Sequence, residues 1–147
     1  MNNETMERKL NMAKLTPYIF SEDARAQAQF YVKALGGEIL SVSTFGQLPD
    51  ASEALKDKVM HLDMIAAGLQ FFMCDCPADP PVHGNVINLN LEFGTEAEAR
   101  QAFERLAEGG IVKHPLKQEF WGSLFGQIED KFGVHWMITS EAKPAQP

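Results

Sequence analysis

The stretch "EFWGSLFGQIEDKFGVHWMI", residues 119–138, is the most informative part of this sequence about its fold. It contains three glycines and both tryptophans of the chain, Trp121 and Trp136. Glycines permit sharp turns, and aromatic side chains on a pleated strand either close a core or line a pocket. The stretch therefore predicts a hairpin, and the remaining sequence has to distinguish core from pocket.

The end of this stretch, "GVHWMI", alternates in the way that successive side chains of a strand point to opposite faces. Val134, Trp136 and Ile138 share one face, and His135 and Met137 share the other. If the apolar face packs under the helices of the fold, Trp136 belongs to the core. His135 and Met137 then face a cavity.

The composition is ordinary for a soluble globular protein, with 45% hydrophobic and 22% charged residues in a chain of 147. The net charge of −7 argues against nucleic acid as a partner, because affinity for nucleic acid rests on Lys and Arg. No apolar run reaches the length of about 18 residues that spans a membrane. The polar start, "MNNETMERKLNMAK", lacks the apolar region of a secretory signal. These features predict a cytoplasmic protein.

Hydrophobic periodicity in the first half predicts one strand, one helix and three further strands. The helix begins at an N-cap, Ser21, and ends at the Gly36-Gly37 pair. A hairpin turn is predicted at Ala66-Ala67-Gly68. The predicted strands cover residues 13–20, 38–45, 58–65 and 69–74.

The second half repeats this order. Thr95 and Glu98 form a capping box at the start of a helix that ends at Gly109-Gly110. The helix caps Ser21 and Thr95 lie 74 positions apart, and the two Gly-Gly pairs begin 73 apart. The sequence therefore predicts a duplicated unit. The predicted strands of this half cover residues 86–93, 111–117, 123–130 and 133–139.

A paired βαβββ unit of this size resembles the vicinal oxygen chelate superfamily, which includes glyoxalase, bleomycin-resistance and extradiol-dioxygenase proteins. The closer resemblance is to its PhnB-like branch. The motifs that carry it are P-Y, F-Y-x-x-x-x-G, M-H, F-W-G and D-K/P-F-G-V-x-W, found here within "LTPYIF…FYVKALGGEI", "KVMHLDM" and the stretch at 119–138.

The resemblance implies an α+β fold in which two βαβββ modules form half-barrel-type mixed sheets with helices on the convex face. One such domain is expected over residues 13–141, with module one at 13–76, a linker at 77–85 and module two at 86–141. Flexible tails are expected at 1–12 and 142–147. The resemblance also implies a homodimer and a site on the concave side, with Trp121 in a turn at the mouth of the cavity.

Metal-using members of the superfamily take His or Glu ligands from the first and last strand of each module. Carried over by counting, the corresponding positions are Thr16 or Pro17, Phe71 or Met73, Asn90 or Asn88, and Met137. None of these is His, Asp, Glu or Cys, and thioether or amide groups are poor ligands for the usual divalent ions. The sequence therefore predicts no metal and no cofactor, and it argues against glyoxalase-type or dioxygenase chemistry.

Four histidines could form a different kind of site. His61 alternates with Asp63 on one strand, so the two can share a face, and His135 lies on the last strand. Either histidine is a candidate general base, although no second carboxylate falls at a matching strand position. Ordinary strand residues with local hydrogen bonds are the simpler interpretation.

The pair Cys74 and Cys76 could bind zinc together with His83, but structural zinc sites usually have four ligands. Cysteines of no special role are the preferred interpretation. The branch has often been labelled as a methyltransferase, yet no glycine-rich turn opens a helix after a strand here, so these residues do not support the label.

The preferred hypothesis is a metal-free protein that binds a small organic molecule. Methionine and aromatic side chains give an adaptable apolar surface, and Asn and His supply orienting hydrogen bonds. The alternatives are an enzyme with His61 or His135 as general base, with or without an ion, and a dimeric scaffold without a ligand. The predicted ligand-binding residues are Met73, Asn88, Asn90, Trp121, His135 and Met137.

Overall fold

The computed structural model describes residues 12–142. The predicted tails at 1–12 and 142–147 lie outside the described residues, except for Met12 and Ala142 at their inner ends. The described elements are β1 (Tyr18–Ser21), α1 (Ala24–Leu35), β2 (Gly37–Thr44), a 3₁₀ turn (Phe45–Gln47), β3 (Val59–Ala66), β4 (Leu69–Asp75), β5 (Leu89–Phe93), α2 (Glu96–Ala107), β6 (Ile111–Gln118), β7 (Leu124–Glu129) and β8 (His135–Ser140).

The eight strands form two four-stranded mixed sheets, which confirms the α+β fold of two βαβββ modules. Sheet A has the order β1-β4-β3-β2, and sheet B has the equivalent order β5-β8-β7-β6. In each sheet the first strand of the module pairs in parallel with the last, and the remaining pairs are antiparallel. The two halves that the motif spacing predicted to be repeats thus have the same strand order and the same pairing directions.

The Gly-Gly pairs explain part of this repeat in physical terms. The first glycine of each pair adopts a left-handed conformation as the helix ends, with φ of 78° at Gly36 and 75° at Gly109. The second starts a strand close to its neighbour: a Cβ on Gly37 would lie 1.9 Å from the carbonyl oxygen of Ile65, and one on Gly110 would lie 2.3 Å from that of Glu129. No other residue type fits either position without movement of the backbone.

The first helix begins two residues later than predicted. Asp23, and not Ser21, is the N-cap of α1, because its side chain accepts a hydrogen bond from the amide of Ala26. The Ser21 hydroxyl accepts a bond from the Asp23 amide and donates to Gln27. In α2 the predicted N-cap Thr95 is confirmed, since it accepts from the amide of Glu98 at 3.2 Å; the Glu98 carboxylate accepts from the Thr95 hydroxyl at 3.1 Å.

Two predicted strands are too long at their N-terminal ends. β1 starts at Tyr18 instead of residue 13, directly after Pro17, which lacks an amide hydrogen. β5 starts at Leu89 instead of residue 86. Its first parallel pair is Leu89 with Trp136, and the same register places Val86 and Ile87 opposite the turn that precedes β8. Alternating polarity alone could not reveal where a partner strand begins.

The two sheets and both helices share one hydrophobic core. Trp136 is fully buried in it, which confirms its predicted place. Its ring contacts Tyr31 of α1 at 5.3 Å and Phe71 of β4 at 6.0 Å between centroids, so it joins the second module to the first. No helix within residues 12–142 has the length and apolar character needed to cross a membrane.

A buried polar network also joins the modules, and Asp130 is its centre. This carboxylate accepts hydrogen bonds from the Tyr31 hydroxyl at 2.5 Å and from Trp136 Nε1 at 2.8 Å. It also accepts from the amides of Phe132 at 2.8 Å and Val134 at 3.1 Å, which fixes the turn between β7 and β8. Burial and the neighbouring carboxylate raise the pKa of Tyr31 well above its ordinary value, so the hydroxyl remains a donor.

Candidate functional site

Each sheet has one face covered by a helix and one open face. On sheet B, Trp136, Ile138 and Ser140 of β8 are buried on the helix-covered face, so Met137 and Thr139 point to the open face; His135, at the start of the strand, is buried as well. On sheet A the buried side chains of β4 are Phe71 and Met73, both in the core. Met73 therefore does not join the predicted ligand site, because it is fully buried and, unlike Phe71, does not line the cavity described below.

Three predicted residues lie together on the open side of sheet B. Asn90 on β5 stands beside Met137 on β8, and Met137 stands beside Gln127 on β7. The side chain of Gln127 donates a hydrogen bond to Asn88 Oδ1 at 2.9 Å, which closes the group. Gln127 is absent from the sequence prediction, although its place in the alternating run of β7 gave a signal for it.

Asn88 and Asn90 also line a cavity of ≈ 620 Å³ between the two modules. The polar side chains around it include Lys14 and Gln70, which are joined by a hydrogen bond of 2.7 Å from Lys14 Nζ to Gln70 Oε1. The apolar wall comes from both modules, for example from Phe71. This chemistry offers amide and ammonium donors beside an apolar surface. The other lining residues are Leu15, Thr16, Pro17, Ile65, Gly68, Leu69, Leu89 and Leu91.

This cavity brings together three of the four positions to which the resemblance assigns metal ligands: Thr16 or Pro17, Phe71, and Asn88 or Asn90. None of the described residues that line it is His, Cys, Asp or Glu. Across residues 12–142, no group of three or more such side chains is arranged to hold a metal ion. The side chains that line this cavity therefore do not suit a divalent metal ion.

His135 is buried and lines a second cavity, of ≈ 640 Å³, which adjoins the first and shares Leu15, Thr16, Pro17 and Leu89 with it. Glu129 stands directly opposite it in the ladder, with 3.9 Å between Nε2 and a carboxylate oxygen. The prediction that no carboxylate lies at a matching strand position is therefore wrong. The hairpin register, with these two residues flanking the turn at 130–134, was the signal that could have found it.

His61 lies on the open face of sheet A, apart from the asparagines. Its Nδ1 is 3.2 Å from the Tyr18 hydroxyl, and its ring packs against Phe72. Asp63 shares the strand but accepts a hydrogen bond from Gln70 at 2.9 Å, so it does not orient His61. The alternative of a His61–Asp63 pair is therefore not formed, and both side chains make local hydrogen bonds to other residues.

Trp121 stands in the turn before β7 and is 51% exposed. Its ring meets Phe120 and Phe125 in edge-to-face contacts. Phe125 lies two residues before Gln127 on β7, so the tryptophan borders the same face as the amide group. Its exposure distinguishes it from the fully buried Trp136.

Cys74 and Cys76 are free thiols, both partly buried. Burial raises the pKa of the Cys74 thiol, which keeps it protonated and weakly reactive at neutral pH. His83, the third residue of the zinc alternative, packs instead against the turn that contains Gly133.

The profile of the Glyoxalase/Bleomycin resistance protein/Dioxygenase superfamily matches residues 10–138. The chain belongs to this superfamily. It is 26% identical to protein YjdN of Escherichia coli over 136 residues, a match that covers 84% of this chain and 92% of the relative.

Two solved structures share the fold. Protein PA1353 from Pseudomonas aeruginosa matches with a TM-score of 0.78 and 32% identity, covering 90% of this chain and 100% of that one. The PhnB protein from Bacillus cereus matches with a TM-score of 0.74 and 25% identity, covering 88% and 100%. The resemblance to the PhnB-like branch is thereby confirmed.

Proposed function

We propose that this protein binds a small organic molecule without a metal ion, in the cavity lined by Asn88 and Asn90 and along the adjoining open face of sheet B. The observation that carries the proposal is the makeup of this cavity. Its volume lies in the range of about 300–1,000 Å³ that is usual for small-molecule sites. Its polar side chains are three amides, one ammonium and the hydroxyl of Thr16, which can donate hydrogen bonds to a ligand with carbonyl or carboxylate oxygens.

Catalysis is the second candidate, and His135 with Glu129 is the observation that favours it. A carboxylate beside a histidine is the usual means of orienting a general base. However, His135 is only 7% exposed, and its distance of 3.9 Å from Glu129 is too long for a hydrogen bond. Access and geometry both favour binding over catalysis.

The Bacillus cereus protein carries the name "putative 3-demethylubiquinone-9 3-methyltransferase". We do not extend this activity to the present chain. Both helices that follow a first strand are capped by side chains, Asp23 and Thr95, and neither begins with the glycine-rich turn that holds a nucleotide-like cofactor.

We expect native mass spectrometry of the protein purified from its own cells to detect a bound small molecule. The double substitution Asn88→Ala and Asn90→Ala should abolish this binding, while Gln101→Ala, on an exposed part of α2, should retain it. Elemental analysis should find no stoichiometric divalent ion, and a chelator should leave the thermal midpoint unchanged.

One equivalent of bound metal, or ligand binding that survives the double substitution, would overturn the proposed site. If His135→Gln abolishes a turnover of the co-purified compound while leaving its binding intact, the protein is an enzyme.

We also propose that two copies of the chain associate as a homodimer. The isolated chain leaves several large apolar side chains around the inter-module cleft almost fully exposed, and such patches mark interaction surfaces. The net charge of −7 does not favour nucleic acid as a further partner. The exposed apolar residues are Leu15, Val82, Val86 and Ile87.

Light scattering should give the mass of a dimer at micromolar concentration. The double substitution Val86→Lys and Ile87→Lys should shift the population toward monomer, because each lysine would place a charge in an apolar interface. Gln101→Lys adds charge elsewhere and should leave the mass unchanged. A monomer of the unmodified chain across a wide concentration range would contradict the proposal.

A further inference from the structure

A groove on the helix-covered side of the molecule carries three cations. It lies between α1 and the C-terminal end of α2 and has a volume of ≈ 480 Å³. Lys33 of α1, Arg105 of α2 and Lys131 of the β7–β8 turn line it, against a single acidic side chain, Glu108. Such an excess is unusual in a chain with 20 acidic and 13 basic residues.

The three cations form no ion pair with any carboxylate among the described residues. Lys33 and Arg105 lie in the last turns of their helices, where positive charge offsets the partial negative charge of the helix end. This interaction with the helix end is electrostatic and does not use the N–H groups of Lys33 and Arg105. These groups therefore remain without a carboxylate as ion-pair partner. The groove therefore offers donors to an anion from outside.

Lys131 is held in position before any ligand binds. Its ammonium lies 4.5 Å from the centre of the Phe30 ring and 5.4 Å from that of Phe132. Its aliphatic stem packs on Gly109, where an added Cβ would approach it to 3.4 Å. Less side-chain entropy is therefore lost when this lysine binds an anion.

We propose that this helix groove binds a small organic anion that combines two negative charges with an apolar or aromatic group. The three cations would attract the negative charges of the ligand, and Phe30 and Ala34 form an apolar wall for its apolar group. The volume suits a small molecule. The site lies away from the cavity of Asn88 and Asn90, so the proposal stands independently of the ligand suggested there.

Phenyl phosphate is a suitable probe, titrated at low ionic strength and followed by calorimetry and by amide chemical shifts. We expect saturable binding with shifts at Phe30 and Lys131, weaker binding of inorganic phosphate, and none of benzyl alcohol. Each of Lys33→Gln, Arg105→Gln and Lys131→Gln should weaken binding about three- to fivefold. Added salt should weaken it further.

Lys113→Gln is the matched control, since it removes the same charge from a lysine that lies 3.8 Å from Glu129 outside the groove. It should leave the affinity for phenyl phosphate unchanged. An equal loss in this control would show attraction by net charge alone and would overturn the proposal. The proposal would also be overturned if phenyl phosphate showed no saturable binding, or if only a longer acidic peptide bound.

Discussion

Replacing Asp130 by asparagine is expected to lower the free energy of unfolding by about 3–5 kcal/mol, because a buried carboxylate that accepts several hydrogen bonds would be lost. An asparagine has one acceptor oxygen and an amino group that would face donors. The Tyr31 hydroxyl and Trp136 Nε1 converge on the same carboxylate oxygen, so an amino group there leaves both without an acceptor. Urea unfolding measures the change.

Asp57→Asn is the matched control, because Asp57 is exposed. It should change stability by less than about 0.5 kcal/mol. Tyr31→Phe should fall between the two, since it removes one donor to Asp130 and one acceptor for Gln27. If Asp130→Asn behaves like the exposed control, the network does not hold the modules together.

The substitution Trp136→Ala should cost about 3–5 kcal/mol, as is typical for a buried aromatic residue cut to alanine. The ring fills space between the modules, and its Nε1 donates to Asp130 at 2.8 Å. Trp121→Ala should cost only about 1–2 kcal/mol, because half of that side chain is in solvent and its contacts are with neighbouring aromatics.

Urea unfolding of both tryptophan variants tests this difference. Equal destabilisation would place both rings in the core and remove Trp121 from the ligand site. Trp136 and Asp130 are hydrogen-bonded to each other. The loss of unfolding free energy in a double variant should therefore be smaller than the sum of the two single losses. An additive result would contradict the hydrogen bond between them.

The fold was predictable because its signals are local and repeated. Caps, Gly-Gly pairs and alternating strands each depend on neighbouring residues, and they occur twice in the same order. The predicted N-terminal ends of β1 and β5 were too long. β1 begins only after Pro17, and the position at which the partner of β5 begins is not encoded in β5 itself. The assignment of Ser21 as a cap failed because Asp23, two residues on, competes for the same role.

The site was predictable only in part. Asn88, Asn90 and Met137 follow from alternation within a strand, and the structure brings them together. Met73 was misplaced because alternation defines two faces without saying which one is covered by the helix. The hydrogen bond between Tyr31 and Asp130 joins residues 99 positions apart, so no local sequence pattern could predict it.

The five-residue turn around Asp130 has no equivalent in the first module, where Ala67 and Gly68 alone connect β3 to β4. The two modules therefore share a strand order without being interchangeable, because the carboxylate that accepts from Tyr31 comes from the second module alone. A chain built from two copies of the first module would lack this acceptor. The connection between the halves is thus one-sided, whereas their topology is symmetric.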